Sequence, residues 1–209
     1  RESIAGLREA LTVRSIGPLF FCNLAAYSSF VLVVGLWGGP YLTHIYGYGL
    51  TERGDMLFLA VIAQIVASFL YGPTDQLFRG HKIPVVAGAV MTALTLSVVA
   101  FLGVLPAFWL PVWFIAMGAV SAYTPVMIAH GKSLFPPHLT GRGMTILNMG
   151  TMGGAFLSQT VTGFVINMFP IENGAYALDA YRAFFGLQAL FVLASCIAYL
   201  RAHDPWRRA

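Results

Sequence analysis

Residues 16–41 read IGPLFFCNLAAYSSFVLVVGLWGGPY, a run without a single Asp, Glu, Lys or Arg. Crossing the roughly 30 Å hydrocarbon layer of a bilayer takes about 17–25 apolar residues in an α-helix. This run meets that length, and five more uncharged blocks follow it at 56–73, 83–104, 108–129, 144–169 and 183–200. Inside hydrocarbon every backbone amide must bond within the protein, which leaves helices or a closed barrel. Blocks this long and this evenly apolar are not the alternating strands of a barrel. The expected fold is therefore an all-α membrane protein of six transmembrane helices, with 1–15 and 201–209 as basic flanking segments.

Composition agrees. The chain is 58% hydrophobic and 10% charged over 209 residues, with a mean hydropathy of +0.75, whereas a soluble domain carries roughly 25% charged residues. So few charges cannot cover a water-exposed surface. The net charge of +4 raises the question of nucleic acid, but the basic residues are scattered between apolar blocks and form no patch, so no nucleic-acid partner is expected. Cys22 and Cys196 stand at opposite ends of the chain inside apolar blocks, which suggests neither a disulfide framework nor a metal site. No cofactor is expected.

The placement of the charges carries more information than their sum. Six crossings put both termini on one face, together with 74–82 and 130–143. That face holds Arg1, Arg8, Arg14, Arg79, Lys82, Lys132, Arg142, Arg201, Arg207 and Arg208, against only Arg53 and Arg182 on the other. Acidic residues divide evenly, four to each face. Because Lys and Arg orient membrane spans and acids barely do, both termini are expected in the cytoplasm. Trp37, Tyr41, Tyr46, Tyr48, Trp109, Trp113, Tyr176 and Tyr181 gather at the opposite boundary, as expected of an interfacial aromatic belt.

The spans carry no ionisable residue except His130 at an inner boundary, so an intramembrane acid for proton coupling is missing from this chain. Polar residues at membrane depth are Asn23, Tyr27, Gln64, Tyr123, Asn148, Thr151, Ser158, Gln159 and Thr160. Each needs a hydrogen-bond partner that lipid cannot supply, and finds it either between helices or along a substrate path. Asn23 and Tyr27, four apart, share a side of the first helix, while Asn148, Thr151 and Gln159 recur at spacings of three and eight on the fifth. Asn23, Tyr27, Gln64, Tyr123, Asn148, Thr151 and Gln159 are the candidates for a solute cavity.

Small residues suggest where helices approach closely: Gly35, Gly38 and Gly39 in the first span, Gly118 and Ser121 in the fourth, and Gly150, Gly153 and Gly154 in the fifth. The first span is interrupted at Gly38-Gly39-Pro40 and the fourth at Pro125, each in its last third. Paired interruptions in helices that cross in opposite directions point to an inverted three-plus-three repeat. The loop between the second and third spans places Asp75 four residues before Arg79. There Asp75 can cap a helix and Arg79 anchor the inner face, or the two can latch neighbouring helices.

The Asp75-x-x-x-Arg79 loop resembles a degraded copy of the cytoplasmic signature of the major facilitator superfamily, with Tyr71 and Phe78 in place of two of its glycines. The stretch Gly35-Leu-Trp-Gly-Gly-Pro-Tyr-Leu42 is similar to the seventh-helix ending of many bacterial members, and the basic segments before the first span and after the last match the family's central loop and tail. The resemblance is to the second six-helix half, helices seven to twelve, and covers essentially the whole chain. It implies a half-bundle built as a three-plus-three inverted repeat, in a bacterial cytoplasmic (inner) membrane. It also implies secondary transport of a small solute by alternating access, with or without a coupling ion, and an N-terminal six-helix half, covalent or separate, as partner. Cavity residues then fall on the first, fourth and fifth helices, and Asp75 and Arg79 serve a cytoplasmic gate.

Two other functions compete. A six-helix scaffold or assembly protein without transport activity uses the same half-bundle. An intramembrane enzyme needs a nucleophile and a base at one depth, and Ser28, Ser29, Ser68, Ser97, Ser121 and Ser158 have no membrane-depth His, Lys or Asp to activate them. The chain is accordingly not expected to be an enzyme.

Overall fold

Six helical spans are present among the described residues, which in this computed structural model are 2–172 and 174–205. Arg1, Arg207 and Arg208, which count toward the charge asymmetry, lie outside them. A short helix α1 (Glu2–Leu11) leads into the first span, which runs as α2 (Ile16–Leu32), a π-helical turn (Val33–Trp37) and α3 (Gly38–Tyr46). The second span is α4 (Leu50–Tyr71), followed by the one-turn α5 (Thr74–Leu77), and the third is α6 (Lys82–Leu102). The fourth consists of a 3-10 turn (Ala107–Trp109), α7 (Leu110–Val120) and α8 (Thr124–Leu134). The fifth is α9 (Thr140–Ile166), and the sixth is α10 (Leu178–Tyr199). Between the last two, the strands β1 (Ile171–Glu172) and β2 (Ala175–Tyr176) pair antiparallel, a small addition to an otherwise helical chain.

Five of the spans are long and apolar enough to cross a membrane by length and composition. The sixth, α9, has 27 residues but carries the Gly, Thr, Asn and Gln side chains that mark a helix facing protein rather than lipid. The first span is 31 residues long, so its helix continues past Tyr41 to Tyr46.

The two interruptions expected from Pro and Gly take different forms. Pro40 has no N–H to offer the preceding turn. The helix answers by widening into the π turn at Val33–Trp37, which turns the Val33 carbonyl onto Gly38 so closely that a Cβ there would collide with it. The first span thus bends without breaking. In the fourth span, by contrast, residues 121–123 leave the α-helix altogether and α8 restarts with Pro125 in its first turn, where a missing N–H costs nothing.

The most extensive helix contacts are α2 with α9, α4 with α7, and α6 with α10. In span order these are first with fifth, second with fourth, and third with sixth. Exchanging first for fourth, second for fifth and third for sixth leaves that set of pairs unchanged, as an inverted three-plus-three repeat requires. Lipid gives no hydrophobic drive for such pairing, so close approach of backbones must supply it. Gly154 of α9 lies against the Leu24 carbonyl of α2, Gly118 of α7 against the Ala60 carbonyl of α4, and Gly88 of α6 under the Tyr123 ring. Gly35 and Gly153 face open space.

At the end of the bundle away from the termini, the aromatic residues are more than an interfacial belt. Tyr41 and Tyr181 are fully buried, and the Tyr41 ring packs on Tyr46, Tyr181 and Phe185 at 5.4–5.5 Å. The Tyr41 hydroxyl donates to the Gly103 carbonyl at 2.7 Å, while Tyr46 accepts from the Leu105 N–H at 2.7 Å. These contacts tie the connection between the third and fourth spans to the first and seal that end. Trp109, half exposed, is placed for a membrane interface.

Candidate functional site

A cavity of about 530 Å³ opens between α2, α8 and α9. Each helix supplies one face: Asn23 and Tyr27 from α2, Thr124, Met127 and Ile128 from α8, and Met144, Asn148, Thr151 and Met152 from α9. Spacings of three, four, seven and eight keep each set on one side of its helix. The lining mixes amides and hydroxyls with thioethers and aliphatic groups, and carries no charged side chain.

Asn23 is buried and fixed. Its Nδ2 donates to the Leu19 carbonyl at 2.8 Å, and its Oδ1 accepts from the Thr151 hydroxyl at 3.2 Å, a bond that joins α2 to α9 across the cavity wall. The Tyr27 hydroxyl and the Asn148 amide form no hydrogen bond with any described residue. Asn23 therefore sets the geometry of the wall, while Tyr27 and Asn148 present donors and acceptors to whatever enters.

The other sequence candidates lie elsewhere. Gln159 shares the face of Asn148, since eleven residues make about three turns, but stands about 16 Å further along α9, outside the cavity lining. Gln64 is half-buried on α4, apart from the cavity. Tyr123 is fully buried against Gly88, and its hydroxyl has no partner among the described residues. It packs the break between α7 and α8 rather than facing the cavity.

At the terminal face, the Asp75 carboxylate accepts from the N–H of Gln76 at 2.7 Å. Arg79 adopts a positive φ of 51°, which ends α5 through the Gly80 N–H to Asp75 carbonyl bond at 2.9 Å. No ion pair joins Asp75 to Arg79 among the described residues.

A larger network at that face escaped the sequence reading. Asp204 accepts from the His81 and Lys82 backbone N–H groups at 2.7 and 3.0 Å and meets His81 Nδ1 at 2.8 Å. Burial alone raises its carboxyl pKa, but the His81 imidazole and the two amides outweigh that and hold it below its ordinary value. His130 stacks parallel on His81 with ring centroids 5.0 Å apart. Its Nε2 meets the His203 carbonyl at 2.9 Å and its Nδ1 the Tyr199 hydroxyl at 2.6 Å. A carbonyl only accepts, so Nε2 carries the proton and Nδ1 accepts from Tyr199. Lys82 Nζ caps the Leu200 carbonyl at 2.9 Å, and the Ser15 hydroxyl accepts from the His203 N–H at 2.7 Å.

Ligand atoms of His81, His130 and Asp204 lie within 4.8 Å of one another, which invites a metal. The donor set does not fit one. Both His130 nitrogens are engaged, and a metal must lie in the plane of each imidazole it binds, which two parallel stacked rings do not allow. The cluster is a clamp that holds residues 200–205 onto the starts of α2 and α6 and onto α8. The one sequence signal for it is His130, an ionisable residue at the inner boundary of the fourth apolar block.

A sequence profile described as the Major Facilitator Superfamily matches residues 19–209. No curated protein matches the chain. Among solved structures, the inward-open conformation of the xylose transporter XylE from E. coli is similar, with a TM-score of 0.72 and 14% sequence identity. That similarity covers 91% of this chain and 48% of the transporter, so the chain spans about half the length of its structural neighbour.

Proposed function

Because the chain belongs to the major facilitator superfamily, we propose that it is one six-helix half of a membrane transporter that moves a small solute by alternating access. Its partner on this reading is a second six-helix half, in keeping with a structural neighbour about twice as long. The observation that carries the proposal is the uncharged cavity of about 530 Å³ with the unbonded Tyr27 hydroxyl and Asn148 amide on facing helices. Residues without internal partners break no hydrogen bond within the protein when they bond a solute, and exchange only their bonds to water.

This half brings no charge to the cavity, so recognition of a charged group and coupling to an ion fall to residues outside it. The strong excess of Lys and Arg on the terminal face supports an inward placement of both termini in a bacterial cytoplasmic membrane. Asp75 and Arg79 lie on that face, and their assignment to the inner gate rests on the position of their loop between the second and third spans.

Cysteine accessibility tests the proposal. The Cys22 and Cys196 of this chain are buried, so in a full-length protein cleared of any reactive cysteine outside the chain, Asn148→Cys is the reactive thiol. It should react with a membrane-impermeant maleimide from outside in intact cells and from inside in inverted vesicles, with added solute shifting the balance. Reaction from one face alone under every condition removes alternating access. Gln159→Cys, outside the cavity, serves as the comparison.

A further inference from the structure

His44 stands in the last turn of α3, at the end of the bundle away from the termini. Its Nδ1 meets two groups from much later in the chain, the Tyr176 backbone N–H of β2 at 3.2 Å and the Tyr181 hydroxyl of α10 at 2.7 Å. The imidazole also packs on both phenol rings, with centroids 6.0 Å apart in each case. A backbone N–H only donates, so Nδ1 is an unprotonated acceptor and the neutral ring carries its proton on Nε2.

The bond to Tyr176 holds a connection in place. The hairpin of β1 and β2 joins α9 to α10, and among the described residues no other hydrogen bond fastens it to the first span. The Tyr176 side chain is held separately, its hydroxyl donating to Asn167 Oδ1 at 3.1 Å and its ring meeting Trp37 edge-on at 6.2 Å. A second proton on the imidazole, at Nδ1, turns the acceptor into a donor. The Tyr181 oxygen can then accept, because a hydroxyl does both, but the Tyr176 N–H cannot, and two donors face each other. One proton therefore costs the hairpin its bond to the first span and leaves His44 tied to α10.

The titratable groups against the ring are the phenols of Tyr176 and Tyr181. Of the charges on the packed elements, Asp179 and Arg182 of α10 pair at 3.3 Å, Glu52 of α4 accepts from the Gly49 N–H, Arg53 donates to Thr43, and Asp55 is exposed. The hairpin adds Glu172 in β1. No acid on α4 or α10 pairs with His44 among the described residues, so nothing from those helices holds the ring in its charged form.

We propose that His44 is a proton-operated pin, which in its neutral form fastens the β1–β2 hairpin to the first span and on protonation lets it go. The first span and α9 both wall the cavity of about 530 Å³. On the transport reading, on which this consequence alone rests, acid loosens the seal at the end of the bundle away from the termini.

Hydrogen–deuterium exchange of the full-length protein in phospholipid nanodiscs tests the pin, read by mass spectrometry on peptides covering 170–177 and corrected for the intrinsic pH dependence of amide exchange. The bond needs the neutral ring, so protection should be complete near pH 8 and lost by about pH 5, the range in which an imidazole changes charge. The fall should be about threefold to tenfold, the worth of one hydrogen bond. The other four histidines of the chain lie at the terminal face. His44→Asn offers an amide oxygen that does not titrate in this range, and should abolish the step. His44→Phe offers no acceptor, and should show at both extremes the low protection of the native protein in acid. Protection that is flat with pH in the native protein overturns the proposal, as does a step that survives in either variant. The native profile decides without the variants should either fail to fold. The readout is exchange rather than uptake, so the pin and the transport reading stand or fall separately.

Discussion

Tyr27 and Asn148 differ from Asn23 in one respect that decides what each substitution should do. Their polar groups are unspent, whereas both ends of the Asn23 amide are bonded. Tyr27→Phe and Asn148→Ala should each lower kcat/KM for the solute about threefold to tenfold, one neutral hydrogen bond's worth, and leave thermal stability unchanged. Asn23→Ala should lower both, because it removes the link between α2 and α9. Uptake into proteoliposomes alongside thermal unfolding separates the two classes, and unchanged uptake in Tyr27→Phe and Asn148→Ala would remove them from the cavity assignment. Asn23 and Tyr27 were legible in the sequence because a spacing of four on a helix places side chains together whatever the tertiary fold. Gln159 was misleading for the same reason, since periodicity gives the face of a helix but not the depth at which a cavity opens. Gln188, in the sixth apolar block, was not among the polar residues singled out from the sequence.

Among the elements, two of the three main helix pairs meet where a glycine faces a carbonyl, α2 with α9 and α4 with α7. Gly118→Ala and Gly154→Ala put a methyl group into the Ala60 and Leu24 carbonyls and should destabilise the fold by about 1–3 kcal/mol, the usual cost of overpacking. Gly153→Ala, with nothing within 4 Å, should be tolerated. Equal unfolding midpoints for Gly153→Ala and Gly154→Ala would contradict the packing argument. The sequence named Gly153 and Gly154 alike, because small-residue spacing does not say which side of a helix meets a neighbour. In the loop after α5, Arg79 sits at a positive φ that a side chain disfavours. Arg79→Gly should therefore preserve stability while removing the guanidinium. If the gating role is right, Arg79→Gly and Arg79→Ala shift inward and outward accessibility alike. A shift in Arg79→Ala alone would assign the effect to the backbone.

The whole molecule closes its terminal face by clamping residues 200–205 onto the starts of the first and third spans and onto α8. Asp204→Asn exchanges the charged acceptor for a neutral one and should weaken the clamp by about 1.5–3 kcal/mol, the range for hydrogen bonds to charged groups. The loss is read as faster proteolysis of the C-terminal segment. The sign of the pH dependence follows from the lowered carboxyl pKa. The contribution is complete above the ordinary value of 3.8 and is lost as pH falls through the lower folded value. Proteolysis should thus be flat from neutral pH down to about 4 and rise below it, with Asp204→Asn flat throughout. A rise centred near pH 6 would point to histidine instead.

The amino-acid sequence by itself determined the membrane as solvent, the six spans and the charge asymmetry between the faces, because these follow from local apolar length and from where Lys and Arg fall along the chain. It also determined the faces of α2 and α9, through helical periodicity. Tertiary structure alone decided which polar residues meet. His81 and Asp204 lie 123 positions apart, and no spacing rule connects them. Tyr123 went to the core because Gly88 of another span leaves room for its ring. Such contacts depend on the relative depth and rotation of helices, which packing sets and a single helix's sequence does not encode.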